Sequence, residues 1–300
     1  MVIRECPIAE SPSLRARAAA WLGAPEPAEP VAPKRAATVM FVRDSADGVS
    51  RVGDVTGAGD ATGPDGASCV EVFMLRRVAT MEFAPRMMVF PGGGVDPRDA
   101  DAGLPWAGPT PAEWAARLDV DEATARVLVA AAVREVFEEC GVLLAGPTPD
   151  EVIADVSSAH WHEQRRRLLD REASLSEVLR EHDLLLRSDL LGYRAHWITP
   201  EFEVRRYDTR FFSAAVPHGQ RADDDTTEAD VADWVRPADL LQAWRDGSAL
   251  MLPPTVVAVE DVAAATSATA FIAERPVVAP VQPELIDTGT GLVMRAELPR

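Results

Sequence analysis

Lysine is almost missing from this chain: Lys34 is alone among 30 basic residues, and arginine supplies the rest. Set against heavy alanine use, that bias reads as a GC-rich genome. Positive charge is short altogether, because 48 acidic residues leave a net charge of −18. Non-specific binding to nucleic acid needs clustered positive charge, so it is not expected. Cysteine is scarce too. Cys6, Cys69 and Cys140 are odd in number, far apart and without zinc spacing, which argues against a disulfide framework and fits a reduced compartment. No apolar run approaches the roughly 18 residues of a membrane span. The N-terminus carries no apolar signal core, and Glu297–Arg300 is no recognised targeting tripeptide. A cytoplasmic protein without a membrane partner is the expectation. The five histidines form no H-E-x-x-H pattern, and neither a G-x-S-x-G run nor a P-loop occurs. Zinc chemistry, serine-nucleophile chemistry and P-loop NTPase action have no support.

What is present can build a sizeable core, with 300 residues and 47% apolar content. Residues 1–35 read as an extension, with a short helix near Leu14–Leu22 and a Pro/Ala/Glu linker at Ala24–Pro33. Thr38–Val42, Val70–Arg77, Tyr193–Ile198 and Arg206–Val216 read as strands, and Ser45–Ser68 as a long loop. Pro237–Asp246 and Pro254–Arg275 read as helices opened by proline. Glu151–Arg187 is charged with helical periodicity. Its run Arg165-Arg166-Arg167 reads as a solvated face. Strands and helices in this order predict an α+β fold with a mixed sheet flanked by helices.

The richest stretch is Arg134-Glu135-Val136-Phe137-Glu138-Glu139-Cys140-Gly141-Val142. Glu135, Glu138 and Glu139 are spaced i, i+3, i+4 and share one helical face. Three carboxylates there repel unless a cation joins them, and hard divalent ions prefer such oxygens. Val129, Val133, Val136, Phe137 and Cys140 form an apolar stripe on the other side, Asp119 or Asp121 is placed to cap the helix start, and Gly141 suits its end. Alone, the glutamates would equally suit a solvated helix face.

Together with Phe90-Pro91-Gly92-Gly93-Gly94, that stretch resembles the signature of the Nudix hydrolases. The resemblance implies a Nudix-type α/β/α sandwich over residues 36–275, with helical insertions at about 97–120 and 150–190 and a C-terminal tail at 276–300. Gly93 and Arg134 are 41 positions apart, far more than in the family pattern, so an insertion splits the signature. Its further glutamate is missing, or Asp96 or Asp99 replaces it.

By resemblance, Glu135, Glu138 and Glu139 are ligands for Mg²⁺ or Mn²⁺, Arg134 orients them, and Glu138 and Glu139 serve the hydrolysis of a P–O–P bond. Glu228, six residues before Trp234, takes the place of the family's late-loop base, with Asp225 behind it; a solvated acidic loop is the alternative. Trp197–Pro200, Arg205–Phe212, Leu252–Thr255 and Phe83–Met87 resemble the branch containing the mammalian peroxisomal acyl-CoA diphosphatases. That implies a nucleotide or CoA-type small molecule as substrate, with Arg86, Arg205, Arg206, Arg210 and Gly93 as substrate-binding candidates. The competing expectation is a non-catalytic Nudix-fold ligand-binding or scaffold protein. The helical insertion and the tail are compatible with packing across a homodimer.

Overall fold

Strand alternation divides the core into two layers. In the computed structural model of the chain, Ala37, Val39 and Phe41 face one layer, and Met40 and Val42 face the other. Phe73 and Leu75 follow the first set, and Val72 and Met74 the second. This period-two pattern is what a sheet buried on both faces requires. The structure describes residues 2–7, 12–24, 29–45, 70–78, 85–223, 229–289 and 291–299. The expected loop Ser45–Ser68 lies almost wholly outside them, as does Glu228.

The chain opens with β1 (Val2–Pro7), α1 (Pro12–Gly23), β2 (Lys34–Asp44) and β3 (Val70–Arg77). The glycine loop forms β4 (Met88–Val89) and β5 (Gly92–Gly94), followed by a 3-10 turn at Pro97–Ala100. Then come β6 (Trp106–Ala107), α2 (Pro111–Leu118), α3 (Glu122–Cys140) and β7 (Ala145–Gly146). The second insertion holds α4 (Ala159–Leu169), α5 (Leu175–Glu181) and β8 (Leu185–Arg187). The last third is β9 (Gly192–Ile198), β10 (Tyr207–Ala215), β11 (Ala229–Val235), α6 (Pro237–Arg245), α7 (Pro253–Ala263), α8 (Ala268–Ala273), β12 (Pro280–Val281), β13 (Glu284–Asp287) and β14 (Leu292–Leu298).

The central sheet has eight strands, with the path β11-β3-β2-β10-β9-β12, β4 on β3 and β5 on β2. It is mixed: β10 runs parallel to β2 and antiparallel to β9. Residues of α2, α3, α4 and α5 pack on one face and those of α6, α7 and α8 on the other. The expected α/β/α sandwich is therefore present. Among the described residues no helix is long and apolar enough to cross a membrane.

Three expectations need correction. Pro254–Arg275 is two helices, because the chain leaves the helix at Ala264 and restarts with Ser267 capping Ala270. Glu151–Arg187 is helical only from Ala159, and it ends in a strand paired with β6 and β7. Residues 276–300 are no mere tail. Pro280–Val281 pairs with β9, and β14 pairs antiparallel with β1 and β13. The N-terminal extension and the C-terminus thus close into one three-stranded sheet.

Candidate active site

Helix α3 is fixed at both ends by its own residues. Asp121 accepts from the Thr124 amide at 2.8 Å, while Asp119 instead closes α2 in a left-handed turn. Gly141 takes φ +67°; its amide donates to the Phe137 carbonyl and that of Val142 to Val136. The Gly141 bond is that of an αL ending, in which the amide of the left-handed residue closes on the carbonyl four positions back. Fifteen of the nineteen residues of α3 are buried, Arg134, Glu135, Glu138 and Glu139 among them. A solvated acidic face is thereby ruled out. Cys140 is fully buried and packs in the core.

Burying carboxylates costs several kcal/mol each unless they are paired. Arg134 answers part of that cost with every donor it has. Its Nε and Nη2 form a fork on Asp99 at 2.8 and 3.0 Å. Nη1 reaches Glu135 Oε1 at 2.7 Å and Glu138 Oε2 at 2.9 Å, and Nη2 also reaches the Gly94 carbonyl at 2.9 Å. Asp99 is thus the acid, 35 positions upstream, that meets the arginine; Asp96 instead pairs with Arg98. The insertion after the glycine loop also supplies core, since Trp114 is fully buried against Phe212.

The glycine loop touches the same carboxylates. The Gly92 amide donates to Glu139 Oε2 at 2.7 Å. A Cβ on Gly93 would lie 2.6 Å from the Glu135 carboxylate, closer than van der Waals contact allows. Gly93 is therefore needed for close approach.

Three carboxylates, those of Asp99, Glu135 and Glu138, share one guanidinium, and Glu139 is held by the Gly92 amide beside them. Burial pushes Glu135 up to about 7 against the opposing pull of Arg134, and burial likewise raises Glu138. Arg134 resists its own burial because Asp99, Glu135 and Glu138 hold its proton more firmly than usual. Glu138 Oε1 is buried with no hydrogen-bond partner. Among the described residues no three acidic, histidine or cysteine groups form a finished metal cage. The orphaned oxygen, the surplus negative charge and the all-oxygen donor set nevertheless fit a hard divalent cation.

The predicted arginines do not gather at this site. Arg206 is buried and donates to the carbonyls of Thr199 and Val31 and to Gln282 Oε1. It ties the linker and the C-terminal segment to the sheet, so its guanidinium is already occupied. Arg210 is buried with His196 and Asp208, which lie 2.6 Å apart, and donates to Asp208. In sheet register Arg210 pairs with Ala37, and Ala37 with Gly93, so Arg210 stands two strands from the glycine loop. Arg86 and Arg205 are exposed. Arg86 has φ +61° and lies near Asp230, two residues beyond Glu228.

Arg165 reverses the expectation of a solvated face. It is 3% exposed, donates to the Glu138 carbonyl at 2.9 Å and pairs with Asp223 at 2.7 Å. Arg166 and Arg167 carry the solvated ion pairs instead. Sequence reading missed Arg165 and Asp223. The available signal was leucine spacing: Arg165 precedes Leu168 by three positions and so shares its buried helix face.

Comparison with known proteins agrees with this geometry. The family model described as "NUDT19 Nudix domain" matches residues 117–262. A curated Caenorhabditis elegans protein named "Putative nudix hydrolase 7" is 27% identical over 185 residues, covering 62% of this chain and 53% of that protein. The chain thus spans about half the length of this curated relative. The crystal structure of a NUDIX hydrolase from Alicyclobacillus acidocaldarius superposes with a TM-score of 0.65 at 24% identity, over 82% of this chain and 97% of that one, and shows the shared fold. Residues 117–262 thus resemble the Nudix branch that the family model describes, and the chain shares the fold of that NUDIX hydrolase.

Proposed function

We propose that this protein is a Mg²⁺- or Mn²⁺-dependent hydrolase of the P–O–P bond in a nucleoside diphosphate-linked small molecule, with CoA or acyl-CoA as the substrate class. One observation carries the reading: a buried cluster of carboxylates around one saturated arginine, with Glu138 Oε1 left without a partner. Glu135, Glu138 and Glu139 are the groups that would hold the ion. When bound, the ion neutralises phosphate charge and acidifies a water molecule.

In the reaction, the oxygen of water bonds to one phosphorus and the bond from that phosphorus to the bridging oxygen breaks. The bridging oxygen leaves with the electron pair on the other phosphate, and the water proton passes to a base. Positioning and electrostatics supply most of the catalysis in such transfers. Arg134 orients carboxylates and has no donor left for substrate. The base is assigned to Glu228 from its place before Trp234. Gly93 lets backbone and carboxylate approach each other. Arg86 and Arg205, both exposed, are the first choices for the phosphates of CoA. Arg206 and Arg210 rank behind them because both are buried.

The test is a panel of CoA, acyl-CoAs, NADH, ADP-ribose, dinucleoside polyphosphates and dNTPs with Mg²⁺ or Mn²⁺. Metal-dependent release of two phosphorylated products, fastest from CoA compounds, is expected. Cleavage of another member alone would reassign the substrate. Cleavage of none would leave the non-catalytic ligand-binding reading.

A further inference from the structure

Building on that reading, we infer that Arg165, supplied by the second insertion, is a positioning residue for the catalytic carboxylates. It stands where the last turn of α3, helix α4 and the chain at Asp223 meet. Its Nε donates to the Glu138 backbone carbonyl at 2.9 Å, one of the last four carbonyls of α3, which lie beyond the reach of that helix's own ladder. Its Nη1 donates to Asp223 Oδ1 at 2.7 Å. The Asp223 amide in turn donates to the Cys140 carbonyl at 3.0 Å, so Asp223 is held from both its side chain and its backbone.

The junction has no spare room. A Cβ on Gly141 would lie 2.6 Å from Asp223 Oδ2 and 3.1 Å from Arg165 Nη1. Trp161, one turn before Arg165, stacks edge-on against Phe137, the residue before Glu138, with ring centres 6.3 Å apart. One buried guanidinium therefore joins the Glu138 backbone to Asp223. A cation at this helix end also complements the negative pole of α3. The second insertion thus braces the metal-bearing turn from behind.

The test compares full-length wild type, Arg165→Lys and Arg165→Gln by amide hydrogen exchange and by steady-state kinetics on the best panel substrate. In Arg165→Gln, peptides containing Gly141–Leu143 and Asp223 are expected to exchange about 10-fold faster, with α7 and α8 unchanged. Turnover should fall about 10- to 100-fold, the range for groups that orient metal ligands, with KM within about 2-fold. Arg165→Lys should recover part of it. Unchanged exchange at Asp223, equal acceleration throughout the chain, or full kcat in Arg165→Gln would overturn the inference. If the wild type cleaves no panel member, the proposed function fails and Mn²⁺ affinity becomes the second readout. Binding about 10-fold weaker in Arg165→Gln then supports the positioning role, and equal affinity overturns it.

Discussion

The two faces of the central sheet are built to opposite rules. The face under α6, α7 and α8 is closed with Met40, Val42, Val72, Met74, Phe211, Val259 and Phe271, in which dispersion and water exclusion act together. The face under α3 has an equally apolar floor, yet Asp99, Arg134, Glu135, Glu138, Glu139 and Arg165 are buried beside it. Charges in such a place destabilise unless each finds a partner, and Glu138 Oε1 finds none. One face is thus closed mainly by apolar packing, while the other adds a cluster of buried charges to its apolar floor, a departure common where function is built into a core.

Breaking the apolar face should cost the most stability and the least chemistry. Phe271→Ala removes a buried ring that also receives the Arg194 guanidinium at 4.0 Å. A loss of about 3–5 kcal/mol by denaturant unfolding is expected, with turnover per folded molecule unchanged. Glu138→Gln, on the charged face, should do the reverse. Turnover should fall about 10²–10³-fold, the usual effect of removing one preorganised electrostatic group, while the metal-free protein is no less stable.

The charged face should also show itself in pH dependence. Glu135 is raised from 4.5 to about 7 in the folded chain, so between those values the folded state holds more protons than the unfolded state. The contribution of Glu135 to the stability of the metal-free protein is therefore fully present below pH 4.5 and is lost as pH rises toward 7. The change should be no more than about 3 kcal/mol, each tenfold change in proton affinity being worth about 1.4 kcal/mol. Glu135→Gln should flatten that slope; an unchanged slope would assign it to other groups.

Two arginines side by side sharpen the contrast further. Arg206→Ala should lower stability by about 1–3 kcal/mol, as expected when charged hydrogen bonds to buried carbonyls are lost, with KM unchanged. Arg205→Ala should leave stability alone and raise KM for CoA about 3- to 10-fold. Gly93→Ala should have a small effect on stability, because only the Glu135 carboxylate must move, but should weaken Mn²⁺ binding about 10-fold.

Local signals in the sequence were legible. Asp121 and Gly141 mark the ends of α3 with side-chain and backbone chemistry that acts within four residues. Val70–Arg77 forms a strand with the expected limits, since alternation is a local pattern. What stayed hidden is contact between distant residues. Asp99 meets Arg134 across 35 positions and Arg165 meets Asp223 across 58. β1 pairs with β14 from opposite ends of the chain, and no local pattern in either strand names its partner. Glu135, Glu138 and Glu139 lie on one helix, as their spacing requires, but an acidic helix face alone does not reveal that it is buried.

Glu135, Glu138 and Glu139 are proposed to serve metal-dependent P–O–P hydrolysis. The most direct test of that role is mass spectrometry of the products formed in ¹⁸O-labelled water by wild type and Glu138→Gln, with and without Mn²⁺. One labelled oxygen is expected in one of two phosphorylated products, formed by the wild type only with the ion and about 10²–10³-fold more slowly by the variant. Equal labelled product from Glu138→Gln, or from wild type without any divalent ion, would contradict it.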